Sequence, residues 1–298
     1  MDSNLNATTP IPTPPNHLKH ALVGSFAGTL MEAIVHPIDT IRTRIKSNTK
    51  QNISFMAQAI SMLKTEGASS YLKGLTCTLL SASISRGCYF YIYEKSKDFM
   101  IKEHIVEENL APFISGFFAG FIGDLVEIPC DLVRTRMQLE PGHYDYRNVF
   151  DGFKKIYQHE GPTKLFRGGA VYFTLDAIDT GLTFGFYELF KKGFSLVFPG
   201  HDHHVSLSAS LASSALSASV TAILTNPFDV LVTRIQMNKK DKKLKIVKLV
   251  EKIYEREGFQ GFFKGLTGRI GQYGLSAVIL FPTYEFLKSK FGLDLPEL

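Results

Sequence analysis

Apolar positions along the chain fall into six long stretches, about residues 20 to 46, 75 to 98, 111 to 138, 169 to 194, 205 to 236 and 266 to 290, each ended by a polar or glycine-bearing break. Each is long enough as a helix to cross a bilayer, yet few contain the roughly 20 uninterrupted apolar residues of a rod wholly surrounded by lipid. Polar residues recur within the stretches at helical spacing. This pattern predicts helices with one face toward lipid and one toward a watery cavity.

The stretches repeat in phase. In three of them a proline precedes an aspartate by two residues: Pro37 and Asp39, Pro129 and Asp131, Pro227 and Asp229. The aspartates stand 131−39 = 92 and 229−131 = 98 residues apart. Glu66-Gly67, Glu160-Gly161 and Glu257-Gly258 each lead, seven residues from glycine to glycine, to Lys73-Gly74, Arg167-Gly168 and Lys264-Gly265. Twenty residues beyond the second glycine lie Glu94, Glu188 and Glu285, each preceded by a tyrosine and followed three later by Lys97, Lys191 and Lys288. A period near a hundred residues exceeds that of the common solenoids, so the unit is a larger supersecondary module. Proline kinks a helix by removing a backbone hydrogen bond. Three kinked helices then converge at one end, where the aspartates form a ring. Small residues four apart, Gly24 and Gly28 or Gly116 and Gly120, predict close helix approach.

Composition changes the picture little. Hydrophobic content is 45%, the net charge is +5 and mean hydropathy is +0.03, values that suit either a soluble or a membrane protein. The only dense basic run, Lys239 to Lys245, has no interleaved aromatics and reads as a solvated loop, not a nucleic-acid surface. Cys77, Cys88 and Cys130 have no metal or redox spacing and read as helix fillers, and His201 to His204 fits no standard metal site. With no phosphate loop, nucleophile elbow or paired catalytic acids, an enzyme is not expected.

Taken together, the three motif sets resemble the mitochondrial carrier family from about His20 to Lys290. The resemblance implies an all-α membrane protein of six transmembrane helices in three pseudo-symmetric repeats, with short matrix helices. The expected division is a disordered tail 1–19 and repeats 20–104, 105–198 and 199–298. It also implies transport of a small metabolite across the mitochondrial inner membrane, both termini facing the intermembrane space, with bound cardiolipin, no other cofactor or metal, and a monomer as the working state. A carrier-fold protein that has lost transport and serves as a docking subunit is the alternative.

By the same resemblance, the matrix gate comprises Asp39, Arg42, Asp131, Arg134 and Asp229, pairing Asp39 with Arg134 and Asp229 with Arg42. Asp131 should meet a base at position 232 but finds Val232, so Arg44, Arg136 or Arg234 is expected to bend toward it. The loss is expected to shift the resting population toward the matrix-open state. The glutamine that follows each proline by nine residues is Gln138 and Gln236, but Lys46 in the first repeat. The cytoplasmic gate pairs Glu94 with Lys191, Glu188 with Lys288 and Glu285 with Lys97. Cardiolipin is expected at Lys73-Gly74, Arg167-Gly168 and Lys264-Gly265, where helix N-termini offer free N–H groups.

Cavity residues follow from spacing and from the family pattern. Glu32 and Asp124 lie two turns from Asp39 and Asp131 on the same faces. Asp176 and Asp179 follow Gly168, with Gln272 and Tyr273 at matching positions of the third repeat and Arg86 on the second helix. Four acids against one base predict a cationic or zwitterionic substrate, resembling amino-acid and S-adenosylmethionine carriers, because unpaired carboxylates repel anions.

Overall fold

In the computed structural model, residues 15–49, 53–107, 110–197, 207–238 and 246–290 are described. Six long helices carry the apolar stretches: α1 (Pro15–Ser47), α3 (Leu75–Lys102), α4 (Ala111–Gln138), α6 (Gly169–Val197), α7 (Leu207–Gln236) and α9 (Leu266–Lys290). Three short ones, α2 (Phe55–Glu66), α5 (Val149–His159) and α8 (Ile246–Glu257), lie between the members of each pair. No strand occurs among the described residues, as the all-α reading requires. The first helix begins five residues earlier than expected, at Pro15. The run Lys239–Lys245 and the His201–His204 cluster lie outside the described residues.

Contacts between α3 and α4, α6 and α7, and α9 and α1 dominate, and α1 with α3, α7 with α9 and α4 with α6 complete a ring. Prolines 37, 129 and 227 lie inside α1, α4 and α7. Beside two of these prolines the preceding side chain reaches the following loop: a His36 ring nitrogen bonds the Lys73 carbonyl at 2.9 Å, and Asn226 donates to the Phe262 carbonyl at 2.8 Å. Both glycines of each repeated pair (67 and 74, 161 and 168, 258 and 265) have φ between 66° and 96°, where a side chain would be strained. The phase of the sequence repeat thus records a backbone requirement.

Among the described residues the larger apolar clusters lie at the proline end. One cluster per repeat seats a short helix on a kinked one: Ile41, Ile45 and Met62; Leu132, Val133 and Ile156; Val230, Leu231 and Ile253. Cys77 sits in the second cluster with Cys130 against it, donating its thiol to the Cys130 carbonyl. Away from this end, every long helix exposes large apolar residues: Phe26, Tyr91, Phe117, Phe184, Leu216 and Phe286. Such a belt is unfavourable in water and suits lipid. Only Ala212–Gln236 among the described helices passes a plain length-and-apolarity test for a membrane span. The others carry the polar positions that line the interior.

Candidate functional site: two rings and a cavity

At the proline end the three aspartates meet. Arg42 Nη2 lies 2.9 Å from Asp229 Oδ2, and Arg134 Nη1 3.8 Å from Asp39 Oδ2. Lys46 adds a second cation to Asp229 at 2.9 Å. Gln138 donates to Asp39 at 3.0 Å and Gln236 to Asp131 at 2.7 Å. Asp131 also pairs with Arg134 within its own helix.

None of the second arginines bends toward Asp131, contrary to expectation. They are used elsewhere, in a threefold clamp. Arg44 pairs with Glu66, Arg136 with Glu160 and Arg234 with Glu257, each with one oxygen at 2.9 Å. Each also donates to a carbonyl of the next repeat: Arg44 to Gln138, Arg136 to Gln236, Arg234 to Asn48. The two arginines with the most buried side chains, Arg44 and Arg136, are 2% and 0% exposed, so neither has water as an alternative partner. Arg44 and Lys73 together hold the Glu66 carboxyl at about 2, far below its ordinary 4.5. The acid of the acid-Gly motif therefore ties each short helix to the kinked helix before it. The sequence carried a usable signal, since both partners repeat in phase.

The first turns of α9 form the plate on which Arg42 lies. A Cβ at Gly268 would stand 2.6 Å from Arg42 Cγ and 2.8 Å from the Phe55 ring, whereas one at Gly271 would meet nothing within 4 Å. Gly268→Ala is expected to lose about 1–3 kcal/mol by overpacking, and Gly271→Ala to be neutral or slightly stabilising. Thermal unfolding of the two purified variants makes the comparison.

The opposite ring is open. Glu94 and Glu188 are exposed and belong to no ion pair within 4.0 Å among the described residues. Lys97 lies 5.7 Å over the Tyr93 ring and Lys191 5.6 Å over Tyr187. The side chains of Glu285 and Lys288 lie outside the described ones. With the aspartate ring latched, this conformation is closed at the proline end and open at the tyrosine end.

Between the rings the predicted cavity residues separate into three groups. Glu32 pairs with Arg86, whose guanidinium also takes Thr29 Oγ1 at 2.9 Å and lies across Gly28, where a Cβ would be 3.1 Å away. Gly28 accordingly makes room for a side chain, not for a backbone. Asp179 pairs with Arg269 at 2.6 Å and accepts from Thr225 at 2.7 Å and Tyr273 at 3.2 Å. Gln272 accepts from Arg42. Asp124 on α4 and Asp176 on α6 have neither hydrogen bond nor ion pair among the described residues, and each lies within electrostatic reach of another acid.

The count of one base must be corrected: Arg269, 5% exposed, is a second. Comparing repeats would have found it, because Thr78 and Tyr172 occupy its equivalent positions. Glu127 was missed too; it faces the Ser85 hydroxyl at 3.5 Å and Tyr172. Among the described residues five acids thus meet two bases, each base pairing with one acid. The surplus negative charge concentrates where α4 faces α6.

The lipid candidates differ among repeats. A cavity of about 700 Å³ opens between Ser54 and Phe55 on one side and Phe259, Gly265 and Gly268 on the other. It lies against the N-terminus of α9, whose first N–H groups have no partner within the helix. Lys264 lines it, but its ammonium is turned to Glu257 at 2.6 Å and the Asn48 carbonyl at 2.6 Å. Lys73 likewise pairs with Glu66 at 2.7 Å, and Gly74 packs on Arg134. Arg167 and Gly168 occupy the equivalent turn, Gly168 against Ile235.

The sequence profile described as "Mitochondrial carrier protein" matches residues 13–104, 106–197 and 203–294. Among similar proteins are Mitochondrial substrate carrier family protein E of Dictyostelium discoideum, 30% identical over 92% of this chain and 96% of its own length. A probable mitochondrial 2-oxoglutarate/malate carrier protein of the same organism is 28% identical, covering 95% and 93%. The mitochondrial glycine transporter of Debaryomyces hansenii is 28% identical, covering 93% and 90%. These names include a 2-oxoglutarate/malate carrier and a glycine transporter, so similarity alone does not choose the solute.

Proposed function

This chain belongs to the mitochondrial carrier protein family, and from that premise we propose that it moves a small cationic or zwitterionic metabolite, amino-acid or S-adenosylmethionine-like, by alternating access. The observation that carries the reading is the unpartnered pair Asp124 and Asp176. Asp124 is half-buried and Asp176 is open to the cavity; like charges so close repel one another, so the two favour a cation that completes them. Glu32 and Asp179, already neutralised, act as tethers of α3 to α1 and of α9 to α6.

In this reading the proline end faces the matrix, the tyrosine end and both termini face the intermembrane space, and the membrane is the inner one. Asp39, Arg42, Asp131, Arg134 and Asp229 latch the matrix mouth. Glu94, Lys97, Glu188, Lys191, Glu285 and Lys288 latch the other when the first opens. A partly buried ion pair recovers little beyond its desolvation cost, so exchanging one ring for the other is nearly balanced. The cavity beside Gly265 and the N-terminus of α9 suits a cardiolipin phosphate, with backbone N–H groups as donors. A monomer completes this arrangement. A protein retained only for docking would not need a charged ring at both mouths, which favours transport.

Uptake into proteoliposomes of basic amino acids, S-adenosylmethionine, neutral amino acids, dicarboxylates and nucleotides tests the proposal. The expected result is selective uptake of a solute bearing a cationic group, with matching thermal stabilisation by mass action. Selective uptake of an anion, or of nothing in the panel, overturns it.

A further inference from the structure

Lys46 is the residue that the gate's symmetry does not explain. In each repeat the side chain nine residues after the proline faces the ring aspartate of another repeat: Gln138 faces Asp39, Gln236 faces Asp131 and Lys46 faces Asp229. Two of the three are neutral amides. The third is an ammonium, 6% exposed, in the chain that lacks the ring base at Val232. Val232 itself is 4% exposed and belongs to the apolar cluster of the third repeat, so no cation enters the ring from that position.

Counting charges shows what Lys46 does. The ring acids are Asp39, Asp131 and Asp229, and the cations in contact with them are Arg42, Arg134 and Lys46. The total is balanced at three against three, although one canonical contributor is missing from α7. Distribution is not balanced. The seam between α1 and α7 has two ion pairs on one carboxylate, each at 2.9 Å. The seam between α1 and α4 has the Asp39–Arg134 pair, braced by Gln138. The seam between α4 and α7 has no ion pair across its ring positions. There Asp131 is held by its own helix's Arg134 and by the neutral amide of Gln236, whose Oε1 is buried without a partner. The second-arginine contacts to a neighbouring carbonyl occur at all three seams and do not distinguish them.

We propose that Lys46 is the third cation of the latch, displaced from α7 to α1, and that the gate consequently opens first between α4 and α7. Its role is positioning: it holds α1 against α7 so that these two helices stay together while the seam between α4 and α7 parts first. This rests on the gating role proposed above for the ring, but not on the identity of the solute. It also accounts for a latched ring in a chain that has lost a ring base, since the charge was relocated instead of lost.

The test reads how readily the latch opens, without a substrate. Ser276 lines a small cavity of about 50 Å³ with Asp39, Arg134 and Gln272, on the cavity side of the ring. Full-length protein carrying Ser276→Cys, with Cys77, Cys88 and Cys130 replaced by alanine, is placed in inside-out inner-membrane vesicles and exposed to a membrane-impermeant maleimide. The rate of modification reports opening of the matrix mouth. Lys46→Gln, which installs the residue found at the other two positions, is expected to speed labelling about tenfold. Gln236→Lys, which supplies an ion pair to the unlatched seam, is expected to slow it at least about fivefold, and Gln138→Lys, at a seam already paired, to change it less than about twofold. The swap Lys46→Gln with Gln236→Lys, which preserves net charge, is expected to label slower than Lys46→Gln alone. Thermal unfolding of each variant confirms that it is folded. Because Gln236→Lys and Gln138→Lys remove no existing ion pair, the comparison survives if Lys46→Gln does not fold. Unchanged labelling in folded Lys46→Gln, or an effect of Gln138→Lys equal to that of Gln236→Lys, overturns the proposal. A negative solute panel with the predicted labelling order would instead reject the substrate reading and leave this one standing.

Discussion

Arg136→Ala is expected to lower the stability of the purified protein by about 3–5 kcal/mol, the usual cost of leaving one member of a buried ion pair uncompensated. The side chain is fully buried, its Nη2 meets Glu160 at 2.9 Å, its Nε meets the Gln236 carbonyl at 3.0 Å, and its guanidinium lies 4.6 Å over the Tyr144 ring. Truncation therefore strands a carboxylate and a carbonyl at once and leaves a cavity beneath Tyr144 and Tyr146. Arg147→Ala, on the loop before α5, removes the same charge from the surface and is expected to cost under about 0.5 kcal/mol. Unfolding in detergent, by heat or denaturant, compares the two. Similar curves for both would mean that the threefold clamp contributes no stability. Arg136→Met fills much of the space without the charge, so it separates the packing part from the electrostatic part.

The second large effect concerns transport. Replacing both Asp124 and Asp176 with asparagine is expected to reduce uptake of the selected cationic solute, as kcat/KM, by about 100-fold or more. Two unit charges about 4 Å apart interact by about 4 kcal/mol at an effective dielectric of 20, and each 1.4 kcal/mol is tenfold. The amide keeps the shape and removes the charge, so loss of uptake without loss of folding isolates electrostatics. Glu32→Gln should behave differently. It leaves the Arg86 guanidinium beside α1 without its carboxylate, and its main effect is expected on stability. Retention of uptake within tenfold in the double asparagine variant would remove these two acids from the binding site. A uniform loss across Glu32, Asp124 and Asp176 variants would argue for a diffuse field rather than a defined pair.

How legible the site was depended on how its parts are encoded. Asp39, Asp131 and Asp229 were found because proline spacing marks them, and the three glycine pairs because a left-handed backbone admits little else. Arg269 is legible only as a break in the repeat, where Thr78 and Tyr172 stand, and its carboxylate is ninety residues away in Asp179. One of Arg44, Arg136 and Arg234 is expected at Asp131, where the ring lacks a base, whereas all three are held by Glu66, Glu160 and Glu257. Similarly, Glu32 and Arg86, expected as substrate contacts, are paired with each other in this conformation.

The six long helices, their bounds to within a few residues, the threefold order and the prolines inside α1, α4 and α7 were determined by the sequence alone, because they depend on short-range properties: apolar periodicity, proline, and glycine at positive φ. Which charge meets which was decided only by the tertiary structure. An ion pair depends on the angstrom-scale separation of side chains from different helices, and a buried group satisfies itself with the nearest partner its neighbours leave open, whether or not the pattern of the repeat had assigned it one.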